Sequence, residues 1–209
     1  MKKFIVIEGL DGSGKTTVSK LLQKRFINNG LPCYHTYEPT HKPIGKQIRS
    51  FLTGKDERAP YEAMALLFAA DRIEHIHNEI APNLMHNYVV CDRYYYSNMA
   101  YQSYNDQSLD FVVYCNKPAM KLCPPDITFF LNITPEECMR RIENRGEIKS
   151  IYETTNELER IYKQFMSAIE RMKETDNIVL VGTDAASPDE IVKEMWEHLS
   201  NDINKDENE

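Results

Sequence analysis

The eight residues Gly9-Leu10-Asp11-Gly12-Ser13-Gly14-Lys15-Thr16 spell G-x-x-x-x-G-K-T, and the run Phe4 to Glu8 (FIVIE) ahead of them reads as a buried strand. A strand that ends in such a loop and reopens as a helix commits this part of the fold to a unit that wraps a phosphate. Glycines let consecutive backbone N–H groups converge on phosphate oxygens, and the helix opening at Gly14 adds its positive end. Lys15 reaches the β and γ oxygens, and the Thr16 hydroxyl is offered to Mg²⁺. The helical run Thr17 to Asn29 completes the unit. Gly9, Leu10, Asp11, Gly12, Ser13, Gly14, Lys15, Thr16 and Thr17 are the expected nucleotide-binding residues. The alternative is a glycine turn from strand to helix that holds no ligand.

Composition narrows the setting. At 209 residues and 42% hydrophobic content the chain can bury one sizeable core, so a single domain over residues 1–209 is expected. A net charge of −7 argues against a broad electrostatic grip on nucleic acid, which needs basic surface to displace counterions. The cysteines (Cys33, Cys91, Cys115, Cys123 and Cys138) are odd in number and form no C-x-x-C pair, which signals neither a zinc site nor a disulfide framework. They read as reduced thiols of a cytoplasmic protein. No apolar run approaches ~18 residues, and Met1-Lys2-Lys3 leads directly into the first strand, so neither a membrane span nor a cleavable signal is expected.

Strand-like runs recur at Phe4 to Glu8, Cys33 to Tyr37, Tyr88 to Cys91, Ile127 to Leu131 and Ile178 to Val181, separated by stretches of helical character. This alternation predicts an α/β fold built from βαβ units around a parallel sheet. Val89 to Cys91 and Ile127 to Leu131 are apolar without alternation, which puts them in the middle of the sheet, covered on both faces. Tyr61 to Ile80 reads as one helix with Ala65, Phe68, Ala69, Arg72 and Ile76 on neighbouring turns, and Gly30 closes the first helix. Thr134 to Lys173 reads as two charged helices broken at Gly146, with Glu136 near Arg140 and Glu143 near Lys149. A solvated hairpin is the ordinary reading of such a run, but Arg140, Arg141 and Arg145 make residues 140–152 a candidate lid. The polar tail, residues 201–209, is expected to fray.

A phosphate loop does not choose among phosphoryl-transfer chemistries, so the surrounding segments must. Asp92-Arg93 closes a buried strand with an acid suited to Mg²⁺ and a base suited to phosphoryl oxygens, or else with a simple ion pair. Phe68 and Arg72 share a helix edge and suit a nucleobase, one by stacking and the other by donating to carbonyl oxygens. Phe68 as plain core is equally compatible with the spacing. Glu38-Pro39-Thr40 follows the second strand, and Arg49 on the next helix can reach a monophosphate or can be a surface cation.

Taken together, EGLDGSGKTT, YEPT, PIGKQIRSFL, LLFAADRIEH, VVCDRYYYSNMAYQ and PPDITFFLNITPEE resemble thymidylate kinase, in that family's order and over nearly the whole chain. The resemblance implies a P-loop fold with a five-stranded parallel sheet, helices on both faces, a helical lid and a homodimer. It further implies phosphorylation of dTMP to dTDP by ATP with Mg²⁺, on the path to dTTP. Lys15, Thr16 and their loop would hold ATP, with Asp11 near the transferred phosphoryl and its metal. Arg93 would bridge donor and acceptor, with Asp92 beside it near Mg²⁺. On the acceptor side it implies Phe68 stacked on thymine, Arg72 at its O4, Arg49 at the 5′-phosphate, and Asn98 and Gln102 near the base. Tyr101 would lie under the deoxyribose, Glu38 near phosphate and metal, and Pro39 on the pocket wall. Gly12 occupies the loop position where some members carry a catalytic arginine, which points to the lid-arginine type with Arg141 and Arg145 as candidates. The stretch Tyr104 to Leu122 matches least well and carries no assignment.

The rivals are a kinase of the same fold acting on a different monophosphate or on a deoxynucleoside, a nucleotide-switched binding protein, and an inactive nucleotide-binding paralogue, against which intact Lys15, Asp92 and Arg93 speak. A deoxynucleoside kinase would need a general base near a 5′-hydroxyl, for which Glu38 is the available acid. A nucleotide-switched binding protein would need a motif that positions a hydrolytic water, and no second motif of that kind is visible.

Overall fold

The computed structural model describes residues 3–57, 59–145 and 150–206, the last six through their backbone alone. Its elements alternate as expected: β1 (Phe4–Gly9), α1 (Lys15–Asn28), β2 (Cys33–Tyr37), α2 (Pro43–Leu52), α3 (Tyr61–His75), α4 (Ala81–Leu84), β3 (Tyr88–Asp92), α5 (Tyr95–Tyr101), α6 (Asp106–Leu122), β4 (Ile127–Leu131), α7 (Pro135–Arg145), α8 (Thr155–Met172), β5 (Ile178–Val181) and α9 (Pro188–Asp206). The strands form one parallel sheet in the order β2-β3-β1-β4-β5. Every residue of β1, β3 and β4 is buried, so both faces of the sheet's centre are covered by helices, as their unalternating apolar runs predicted. Register aligns Ile7 with Asp92 and Gly9 with Leu131, which gathers the carboxyl ends of the three central strands at one edge. In open parallel sheets that edge is where ligands sit.

Three local readings are corrected. The helix expected over Tyr61 to Ile80 stops at His75, and Ile76–Ile80 forms a wider π turn before the chain resumes as α4. The cause is Pro82, which has no N–H for the Asn78 carbonyl and whose ring would strike it; a wide turn just upstream absorbs the mismatch. In α7 it is Glu137, not Glu136, that pairs with Arg140, and it holds Arg141 as well, because it lies one turn below both. The helix α9 continues to Asp206, into the segment expected to fray. Gly146, Lys149 and residues 207–209 lie outside the described residues.

Candidate active site

The loop between β1 and α1 folds back on itself: Lys15 Nζ donates to the Leu10 carbonyl at 2.5 Å. Burial, reinforced by the positive charge of Arg93 and opposed by Asp11 and Asp92, pushes the Lys15 ammonium down to about 8. Gly12 sits at φ 82, and a Cβ there would lie 2.4 Å from the Cys138 carbonyl oxygen and 2.9 Å from Ile142. Helix α7 is thus seated directly on the loop and leaves no room for a side chain at residue 12. Thr16 Oγ1 donates to Asp92 Oδ2 at 2.6 Å, while Asp92 Oδ1 is buried with no hydrogen-bond partner.

One residue beyond β3, Arg93 adopts a left-handed backbone (φ 73), a conformation that costs a non-glycine residue about 1–3 kcal/mol. Glu8 holds it there. Its carboxylate accepts from Tyr94 N at 2.8 Å, Ser97 N at 3.0 Å and Ser97 Oγ at 2.5 Å, stapling the start of α5 to the end of β1. Burial raises the Glu8 carboxyl above its ordinary value although Ser97 and Tyr94 hydrogen-bond to it. Arg93 then pairs with Asp11, donates to Ser97 Oγ at 3.2 Å and lies 5.2 Å above the Tyr101 ring, whose hydroxyl accepts from Asp11 N at 3.0 Å. Burial works against the Asp11 carboxylate, but Arg93 and Lys15 outweigh it and hold its pKa below the ordinary value.

Two cavities meet at this pair. The larger, about 510 Å³, is walled by Asp11, Gly12 and Gly14 to Thr17 on one side and by Arg93, Arg141 and Arg145 on the other. The smaller, about 160 Å³, is lined by Pro39, Leu52, Phe68, Tyr101, Gln102 and Tyr152, with Ser150 and Glu153 at the lid side. Asp11 and Arg93 are the two residues common to both.

The thymidylate kinase family model matches residues 7–195. The chain belongs to the thymidylate kinase family. It is 43% identical over 201 residues to a probable thymidylate kinase of Methanococcus aeolicus, covering 95% of this chain and 96% of that one. It is 44% identical over 165 residues to one of Thermococcus kodakarensis, covering 75% and 78%. The solved thymidylate kinase of Candida albicans superposes with a TM-score of 0.77 at 27% identity, covering 97% of this chain and 93% of that one. The enzyme is a phosphotransferase that converts dTMP to dTDP for dTTP synthesis, with ATP as donor.

For a thymidylate kinase, the expected acceptor-side residues divide into two groups. Pro39, Phe68, Tyr101, Gln102 and Arg93 line the smaller cavity; Glu38, Arg49, Arg72 and Asn98 are not among its lining residues. Arg72 is 1% exposed, donates to Glu38 Oε2 at 2.6 Å, to the Tyr94 carbonyl at 2.9 Å and to Asn116 Oδ1, and leaves Nε buried without a partner. The second Glu38 oxygen meets His75 Nδ1 at 3.1 Å. Arg49 donates to the Thr40 and Pro39 carbonyls and lies 5.7 Å above the Tyr37 ring, which shapes the 38–40 loop rather than the cavity.

The arginines of the candidate lid take different partners. Arg140 is exposed and bonded to Glu137. Arg141 donates to Glu137 at 2.6 Å, to the Ser13 carbonyl at 3.4 Å and to the Asp184 carbonyl at 3.2 Å, tying α7 to the phosphate loop. Arg145 donates to Glu153 at 2.8 Å, joining the wall of one cavity to the wall of the other. Glu8, Ser97, Asn116, Tyr152 and Glu153 had no assignment from sequence. Two had a legible signal: Glu8 is an acid inside an otherwise apolar strand, and Asn116 shares the buried face of α6 with Leu109, Val112 and Ala119.

Proposed function

We propose that the larger cavity takes the ATP phosphates, the smaller takes dTMP, and the phosphoryl group passes between them at Asp11 and Arg93. The observation that carries this is the sharing of those two charged residues by two otherwise separate cavities. An oxygen of the dTMP phosphate attacks the γ-phosphorus; the new O–P bond forms as the β–γ bridge breaks and its electron pair leaves on the β-phosphate. That oxygen is already ionised near neutral pH, so no general base is required and catalysis rests on positioning and charge neutralisation. Arg93 spans donor and acceptor oxygens, Lys15 neutralises the donor, and Asp11 orients Arg93. Arg145 supplies the lid cation next to the transfer, while Arg141 braces the loop.

Mg²⁺ fits Thr16 and Asp92. Asp92 Oδ1 is a buried carboxylate oxygen with no partner, next to the Thr16 hydroxyl, and a hydrated cation shared with phosphates needs no larger ligand set. When bound there it would offset negative charge on the phosphates.

On the acceptor side Phe68 stacks on thymine and Gln102 meets its edge, with the unpartnered Arg72 Nε behind. The Tyr101 ring is wedged 5.2 Å from Tyr152 and 6.1 Å from Phe165, so it cannot swing aside for a ribose 2′-hydroxyl. Glu38 makes a poor general base: it is 4% exposed, absent from the cavity wall, and has one oxygen on Arg72 and the other on His75. That disfavours a deoxynucleoside acceptor.

The enzyme pairs as a homodimer through α6, where Phe111, Tyr114 and Leu122 leave an exposed apolar stripe, together with Leu66 of α3, the helix packed against it. Five unpaired thiols suit a reducing cytoplasm. Two variants test the partition of the cavities. Phe68→Ala should raise KM for dTMP about ten-fold, as loss of base stacking does, and leave KM for ATP unchanged, while Thr16→Ala should do the reverse. If both variants shift the same KM, the partition fails.

A further inference from the structure

A buried line of side-chain amides crosses the molecule behind the acceptor cavity, and its central residue lies in the stretch that resembled the family least. Asn116, on α6 and fully buried, accepts from Arg72 through Oδ1. Its Nδ2 donates to Asn98 Oδ1 and to the Val112 carbonyl, both at 2.8 Å. Asn98 Nδ2 donates to Gln102 Oε1 at 3.1 Å, and Gln102 Nε2 donates to the Tyr152 hydroxyl at 3.2 Å. Gln102 and Tyr152 line the cavity.

Each amide in isolation has two orientations of nearly equal shape. The line as a whole has one. A guanidinium only donates and a backbone carbonyl only accepts, so Arg72 and Val112 together force the Asn116 oxygen towards α3 and its nitrogen towards Asn98. Asn98 must then turn its oxygen to Asn116 and its nitrogen to Gln102, and Gln102 must turn its oxygen inward and its NH2 towards Tyr152. The pocket wall is left with hydrogen-bond donors.

We propose that Asn116 is a positioning residue that sets this donor polarity and, through it, the preference for a pyrimidine with a 4-carbonyl over one with a 4-amino group. The proposal rests on reading the smaller cavity as the base site. A carbonyl meets the Gln102 N–H as an acceptor; an exocyclic amine would bring donor against donor in a buried wall, where an unmade hydrogen bond carries its full cost.

The test compares kcat/KM for dTMP, dUMP and dCMP, since dUMP and dCMP share the missing methyl and differ in the 4-substituent and in protonation at N3. The full chain should use dUMP at least ~ten-fold better than dCMP. Asn116→Asp keeps an acceptor for Arg72 but offers Asn98 only acceptor oxygens, so Asn98 must turn its nitrogen back and the amides beyond it lose their native direction. The dUMP:dCMP ratio should fall about ten-fold and KM for dTMP should rise, with KM for ATP unchanged. Asn116→Leu, of similar volume, should do the same and stands in if the aspartate variant does not fold. An unchanged ratio in a variant whose melting temperature and KM for ATP match the parent overturns the proposal. So does a parent enzyme that uses dCMP as well as dUMP, an arm that needs no variant to fold. Gln102→Leu separates the two levels. If it lowers the ratio while the Asn116 variants do not, only the role of Asn116 falls. If it too leaves the ratio unchanged, the base site is misassigned.

Discussion

The two cavities that share Asp11 and Arg93 are built on different principles. The larger comes mostly from one continuous segment, residues 11–17, closed over by cations from α7, and encloses about 510 Å³; it is the one we propose for the donor. The smaller draws on the 38–40 loop, α2, α3, α5 and residues 150–153, and encloses about 160 Å³. Phosphates are recognised by charge and by backbone N–H groups, which tolerate an open cavity because the ligand brings the field with it. Pyrimidines differ from one another by a single donor or acceptor, so discrimination needs a tight wall whose hydrogen-bond directions are locked from behind.

Breaking the junction should hurt both halves most. Arg93→Ala is expected to lower kcat by at least ~100-fold with dTMP and ATP saturating, because it removes a transition-state charge partner that no neighbour replaces. Retention of parental kcat would take Arg93 out of the mechanism. A smaller effect should divide the lid. Arg145→Ala is expected to lower kcat about ten-fold or more, while Arg140→Ala, whose side chain is exposed and bonded to Glu137 in α7, should stay within about two-fold. Steady-state rates of the two variants in parallel would show whether the cation next to the transfer matters or merely the lid's overall charge.

Tyr101→Phe probes the seam more gently. It removes the acceptor for Asp11 N while keeping the ring, so kcat/KM should drop several-fold, in line with one hydrogen bond of about 1 kcal/mol, and selection against UMP should survive. Loss of that selection would mean that the hydroxyl, not the ring, reads the sugar.

The smallest expected effect isolates the donor half. Free Lys15 titrates at about 8 instead of its ordinary 10.5, and bound phosphate favours its charged form. Between those two values ATP binding should therefore take up a fraction of a proton, and ATP affinity should decline as pH climbs past about 8. Calorimetry at pH ~8.5 in two buffers of different ionisation enthalpy reads the uptake directly. Equal heats in the two buffers would show that Lys15 keeps its charge without ATP.

The donor half was legible because its chemistry is local. Glycine spacing, a following lysine and threonine and a preceding apolar strand are all within one βα unit, and the structure returns that unit with its helix one residue from the expected start. Arg93 was legible from a strand end, though its left-handed backbone and the Glu8 staple that sustains it were not, since Glu8 and Ser97 are 89 residues apart in the chain. Phe68, Tyr101 and Gln102, which the resemblance implied as acceptor contacts, line the smaller cavity. Arg72 and Glu38, which the resemblance implied as ligand contacts, pair with each other, and that pairing depends on how α3 meets the 38–40 loop. Asn116 was missed because its signal, one polar residue on an apolar helix face, has no motif around it to give it a role.

The sequence alone therefore determined the parallel sheet, the phosphate loop and the identity of the charged groups at the strand ends, because each follows from contacts within a few residues. Only the tertiary structure decided which acid restrains which arginine and which amide lines the smaller cavity. Hydrogen-bond direction propagates through side chains brought together from distant elements, and a donor's partner is set by the packing of helices that the local pattern does not encode.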